Sequence, residues 1–179
     1  MPVEENMARG TSPNPLPRIE NAITESTGGR SEEQDTPDVL RFSWQLNRTE
    51  TPGIYSGTCT WIEKHDQCIV SIRSMETGLQ YSWSPTDVHA FLREVNLLTT
   101  KQRQRAGAFI YEEREVRYRL IVSNEMGRRT ATKIVASIER AVRMLDEHVW
   151  LFKLFIKDPA PPTAKTIKDS LKRVCVVVH

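Results

Sequence analysis

Four short stretches in the first half of the chain alternate apolar and polar residues with a period of two, the signature of strands that bury one face. In the first, Leu40, Phe42, Trp44 and Leu46 alternate with Arg41, Ser43 and Gln45. The second runs from Ile54 to Glu63, with Tyr55, Cys59 and Trp61 on one side and several threonines on the other. The third places Cys68, Val70 and Ile72 on one face, and the fourth does the same with Leu79, Tyr81 and Trp83. Thr51-Pro52-Gly53, Lys64-His65-Asp66 and the loop from Ser74 to Gly78 separate them as turns. Four short strands in succession specify an antiparallel meander.

A helix follows. Ser84 is a good N-cap, Pro85 sits where its missing N–H costs nothing, and Asp87 falls near the positive end of the helix dipole. Val88, Phe91, Leu92, Val95 and Leu98 then recur at spacings of three and four, an apolar stripe able to lie on a sheet. Lys101 to Gly107 reads as an exposed basic loop, and after it the grammar repeats. A short strand is expected over Ala108 to Tyr111, a charged turn over Glu112 to Glu115, and a strand in which Val116, Tyr118, Leu120 and Val122 alternate with polar positions. Residues Asn124 to Gly127 form a turn, and Arg128 to Ala131 a short strand or lead-in. A long helix capped by Thr130 or Thr132 carries Ile134, Ile138, Ala141, Val142, Leu145, Val149, Phe152 and Ile156 as its buried stripe, until Asp158-Pro159 stops it.

The expected fold class is therefore α+β: antiparallel sheet packed by two amphipathic helices, with a strands-then-helix unit occurring twice. Residues 40–158 form this compact domain. Residues 1–39, rich in Pro, Ser and Glu and without sustained periodicity, are expected to be a disordered arm. Residues 159–179 comprise a stiff Pro connector and a short apolar segment in which Ile167, Leu171 and Val174 suggest a helix, while Val174 to Val178 would equally suit a strand. The apolar C-terminal segment is expected to pack on the domain or on a partner.

Charge divides along the same boundary. The formal net charge of the 179 residues is only +2, but the arm holds eight acids and three bases, a net of −5, leaving 22 bases against 15 acids, or +7, on the rest. No run of eighteen apolar residues occurs in a chain that is 27% charged, which excludes a spanning helix. The polar N-terminus lacks a secretory pattern, so a cytoplasmic setting is expected. The three cysteines, Cys59, Cys68 and Cys175, are read as reduced thiols.

Few residues suggest catalysis. Cys59, His65 and Cys68 lie within ten residues, but without the two-residue cysteine spacing or fourth ligand of a zinc site, so no metal is expected. There is no nucleophile elbow and no phosphate-binding glycine loop. The adjacent acids Glu112-Glu113 and Asp146-Glu147 read as solvated surface. No enzymatic activity, cofactor or small-molecule substrate is expected. The candidate binding residues are instead basic: Lys101, Arg103 and Arg105 on the loop, Arg117 and Arg119 two apart on one strand face, and Arg128 and Arg129 beyond the following turn. Converging, they would suit a phosphate backbone or an anionic lipid surface. Unconverged, they are a solvated face balanced by Glu112, Glu113 and Glu115. In the arm, Pro13, Pro15 and Pro17 have the spacing of a polyproline II partner motif.

An acidic arm preceding a basic α+β domain is similar in plan to the small matrix proteins of rhabdoviruses. The order of elements from Cys68-Ile-Val-Ser-Ile-Arg-Ser through Gly78-Leu-Gln-Tyr-Ser-Trp to Ser84-Pro-Thr-Asp-Val88 resembles the opening of their globular core. The resemblance implies a non-enzymatic viral structural protein, virion-associated and self-associating, that contacts nucleoprotein or RNA and an anionic membrane surface. The chain departs from it in lacking a lysine-rich N-terminus and a Pro-Pro-x-Tyr or Pro-Ser/Thr-Ala-Pro motif. Two alternatives share the basic face or the apolar terminus: a nucleic-acid binder, such as a single-strand binder or a viral suppressor of RNA silencing, and a protein-interaction domain.

Overall fold

The structure, a computed structural model, describes residues 13–32, 36–47, 53–75, 82–100, 107–123, 129–155 and 157–177. Strands β1 (Gly29–Ser31), β2 (Val39–Leu46), β3 (Gly53–Ile62), β4 (Gln67–Ser74), β5 (Gly107–Glu112) and β6 (Glu115–Ser123) form one antiparallel sheet in the order β1-β2-β3-β4-β6-β5. Strands β2 to β4 are the expected meander. The chain then leaves the sheet through helix α2 (Pro85–Thr100) and returns as the β5–β6 hairpin, which lays β6 beside β4. The two strands-then-helix units thus share a single sheet.

Register puts the apolar set on one face. Leu40 lies opposite Cys59, Cys59 opposite Val70 and Val70 opposite Leu120; the next row aligns Phe42, Gly57, Ile72, Tyr118 and Phe109. A Cβ on Gly57 would collide with the ring of Phe42, so the glycine is the gap that lets the phenylalanine lie flat across β3. Helix α3 (Arg129–Phe155) crosses this face, burying Ile134, Ile138, Val142, Leu145, Val149 and Phe152. Phe109 meets Phe152 and Tyr118 edge-on, at centroid distances of 5.0 and 5.1 Å, a geometry that aromatic quadrupoles favour. Helix α2 starts as its sequence dictates: the Asp87 N–H donates to Ser84 Oγ (3.2 Å), which in turn donates to the Asp87 carboxylate (2.7 Å).

Four expectations are corrected. First, the arm over 1–39 is in part folded: Leu16–Glu25 is helix α1, whose Leu16, Ile19 and Ile23 are fully buried, and β1 follows it onto the sheet. The side chain of Asn14 fastens its start, accepting from the Leu16 N–H (2.9 Å) while donating to the Pro37 carbonyl (2.9 Å). Second, the fourth meander strand is not formed at its described end. Residues 79–81 lie outside the described residues, while Ser82 and Trp83 form a bend, with the buried Trp83 indole donating to the Asp158 carbonyl (2.7 Å). Third, Arg129 to Ala131 belong to the first turn of α3, and Arg128 lies outside the described residues. Fourth, the described residues hold four α-helices: α1 adds to the two expected on the sheet, and the C-terminal segment takes the helical of its two expected forms. The C-terminal segment is helix α4 (Ala164–Val177), capped by Thr163 Oγ1, which accepts from the Thr166 N–H (3.3 Å), and buried through Ile167 and Leu171. Helical geometry wins there because residues 167 and 171 share one face of a helix four residues apart. Among the described residues no helix is long and apolar enough to cross a membrane.

Candidate nucleic-acid interface on the outer sheet face

With α1, α2 and α3 gathered on the inner face, and α4 packed on α2, the outer face of the sheet presents the alternate residues of every strand. Register again fixes what meets what. Arg41 faces Thr58, Thr58 faces Ser71, and Ser71 faces Arg119. In the neighbouring row Ser43 faces Ser56, Ser56 faces Arg73, and Ile110 faces Arg117. Arginines and hydroxyls from four strands thus form a donor-rich surface. It encloses a shallow cavity of about 340 Å3 lined by Arg41, Arg73, Arg117, Ser56, Thr58 and Ser71 and by the carboxylates Glu32 and Glu113.

Carboxylates hold the arginines in place. Arg73 Nη1 donates to both oxygens of Glu115 (2.9 and 3.1 Å), while its Nε donates to Ser56 Oγ (3.0 Å). Arg119 donates to Glu112 (2.6 Å), and Arg117 pairs with Glu113, at 3.4 Å with Glu112 and at 3.7 Å with Glu115. The hairpin sets Glu112 directly opposite Glu115, like charges that repel across a ladder. Three arginines between them turn that repulsion into a network. The balance anticipated for a solvated face is therefore present, yet incomplete: the buried Nε atoms of Arg117 and Arg119 and the hydroxyl of Ser71 have no hydrogen-bond partner among the described residues. A buried donor left unpaired costs about 1–3 kcal/mol, so these three groups mark where an outside acceptor would be most strongly held.

Of the basic residues singled out in the sequence, Arg117 and Arg119 share this face. Lys101, Arg103, Arg105 and Arg128 lie outside the described residues, and Arg129 opens α3. Arg41, Arg73, Ser56, Thr58 and Ser71 were not singled out, although each occupies a polar position of a legible strand. What binds them into a site is inter-strand register, which no single strand's pattern encodes. The proline motif is recast. Pro15 is the buried N-cap of α1 with φ −80° and ψ −12°, and Pro17 lies in the first turn, so neither is in a polyproline II segment; Pro13 is exposed.

The remaining sequence clusters separate. Cys59 and Cys68 are buried on the inner face, whereas His65 is exposed on a one-turn 3-10 helix. A hydrogen bond with Cys68, together with burial, pushes the Cys59 thiol up, away from the reactive thiolate form. Asp146 is not simply solvated, since it accepts from the hydroxyl of the buried Tyr55.

The fold and face define an α+β protein with a single antiparallel sheet, helices on one side and an arginine- and hydroxyl-bearing surface on the other. Comparison with known proteins found no matching family model, no matching curated protein and no matching solved structure.

Proposed function

We propose that the protein is a non-enzymatic, RNA-associated structural protein that holds the phosphate backbone of RNA against the outer face of its sheet. The observation supporting this reading is the register that aligns Arg41, Thr58, Ser71 and Arg119 across four strands, beside Ser56, Arg73 and Arg117. Phosphate oxygens are acceptors only, and a row of guanidinium and hydroxyl donors is their chemical complement. Among the described residues no aromatic side chain lines the cavity, so the reading favours contact with the backbone over base stacking. Of the functions implied by the matrix-like plan, this supports contact with RNA or ribonucleoprotein.

The test is binding of the full chain to a short RNA duplex across a salt series. Affinity should fall steeply with salt, and Arg41→Gln should reduce the log–log slope by about one while lowering affinity for all sequences alike. Binding that is absent at low salt, or insensitive to salt, overturns the reading. Flotation with phosphatidylserine vesicles in the absence of any RNA binding would replace it with a membrane-surface role.

A further inference from the structure

We infer that the cavity on the outer sheet face is a site for a single phosphate group, and that the Glu113 carboxylate occupies its rim as an intramolecular stand-in for the ligand's charge. The inference deepens the RNA reading and rests on it for the source of the phosphate, though not for the site.

Three features of the cavity point to an oxyanion. Its lining includes Ser71, only 8% exposed, whose hydroxyl has no partner among the described residues. Beside it the Arg117 side chain is 16% exposed, and its Nε is likewise unpartnered while both terminal nitrogens bond carboxylates. Thr58 and Arg41 continue the same row, with Arg73 adjoining it. Donors therefore converge from four strands on a space of about 340 Å3, ample for a phosphate group and within the range of small-molecule sites. A metal cation would meet guanidinium groups there, and an apolar ligand would strand the hydroxyls.

Glu113 is placed against this cavity by an unusual turn. Glu113 and Arg114 both have positive φ, 52° and 63°, the pattern of a two-residue hairpin turn normally occupied by Asn-Gly or Asp-Gly. Neither residue adopts that conformation without cost, and the result is a carboxylate on Arg117 at the cavity margin. Its side chain is 74% exposed, so the pair is solvent-screened and readily exchanged. A phosphate group entering the cavity would take over the Arg117 terminal nitrogen from Glu113; Ser71 Oγ and Arg117 Nε, buried beneath that side chain in the empty site, would become its donors as the arginine shifts toward the ligand. Glu113 thus holds the arginine oriented while the site is empty and competes with weak anions.

The experiment is titration of the full chain with inorganic phosphate, followed by calorimetry and by 31P line broadening, for the native chain, Glu113→Gln and Ser71→Ala. Glu113→Gln should bind phosphate about two- to fivefold more tightly than the native chain, as loss of a surface ion pair allows. Ser71→Ala should weaken it about three- to tenfold, the effect of one hydrogen bond to a charged group, with an unchanged circular dichroism spectrum. The same RNA oligomer with a 5′-phosphate and with a 5′-hydroxyl identifies the source: a preference for the former assigns the site to a terminal phosphomonoester, and equal binding assigns it to a backbone diester. If neither the native chain nor Glu113→Gln binds phosphate at millimolar concentration, the phosphate site is overturned, and salt-dependent RNA binding would still stand. If phosphate binds equally to all three proteins, the assignment of Ser71 and Glu113 is overturned.

Discussion

Tyr55 shows how much a single side chain decides. Its ring is fully buried beneath α3, and its hydroxyl donates to Asp146 on that helix, 91 residues away in sequence. A buried hydroxyl must find an acceptor or pay for its desolvation; Asp146 provides one and in doing so ties the middle of the sheet to the longest helix. Tyr55→Phe keeps the ring and removes the bond, but leaves the carboxylate to water. A loss of about 1 kcal/mol is expected in urea unfolding, whereas Asp146→Ala, which removes this acceptor from a buried hydroxyl, should cost more, about 1–3 kcal/mol. Equal stability of both variants with the native chain would show that the bond contributes nothing. The sequence offered Tyr55 as an inward strand residue and Asp146 as a surface acid. The first of these follows from alternation; the second fails because helical periodicity identifies the apolar stripe but not which flanking polar residue lies over a buried donor.

Elements show the same division at larger spacing. Helix α2 is legible because its cap, its Pro at the first position and its apolar stripe all agree, a consistency that needs no tertiary information. Helix α1 was not read from the sequence: Leu16, Ile19 and Ile23 do sit at spacings of three and four, with prolines at its start, but ten residues form too short a helix to stand alone in water. Its stability comes from the core it joins. Ile19→Ala or Ile23→Ala should therefore cost about 2–5 kcal/mol, far more than a change in an unstructured arm; a change below about 0.5 kcal/mol would mean the helix does not dock. Edge strand β5 adds a device that no local pattern reveals. The Asn96 amide on α2 donates to the Phe109 carbonyl (2.8 Å) and accepts from the Phe109 N–H (2.9 Å), occupying an outward-facing backbone pair of the sheet edge as another strand would. Asn96→Ala should expose that pair and increase self-association in sedimentation velocity, with helix content retained, because an open edge is a template for pairing. A variant as monodisperse as the native chain would argue that the edge is protected by other means.

At the scale of the whole molecule, the charge that sums to +2 is arranged rather than averaged. The acidic segment ahead of Leu40 is not simply an appendage, since its residues 16–31 supply a helix and an edge strand, and Glu32 reaches the margin of the arginine cavity. On the outer face the hairpin carboxylates and the strand arginines counterbalance each other, while three buried donors find no partner among the described residues. That combination is the observation on which the proposed phosphate site rests. The amino-acid sequence by itself determined strands β2 to β6 and which face of each is apolar, because alternation is local and acts within a few residues; it did not show β1. It likewise determined the caps of α2 and the α+β class. Only the tertiary structure decided that the two units share one sheet, that Arg41, Thr58, Ser71 and Arg119 fall in one row, and that Glu113 rests on Arg117. Those outcomes depend on strand order and register, which arise when several apolar faces are buried against one another at once, a property of the assembled core rather than of any segment.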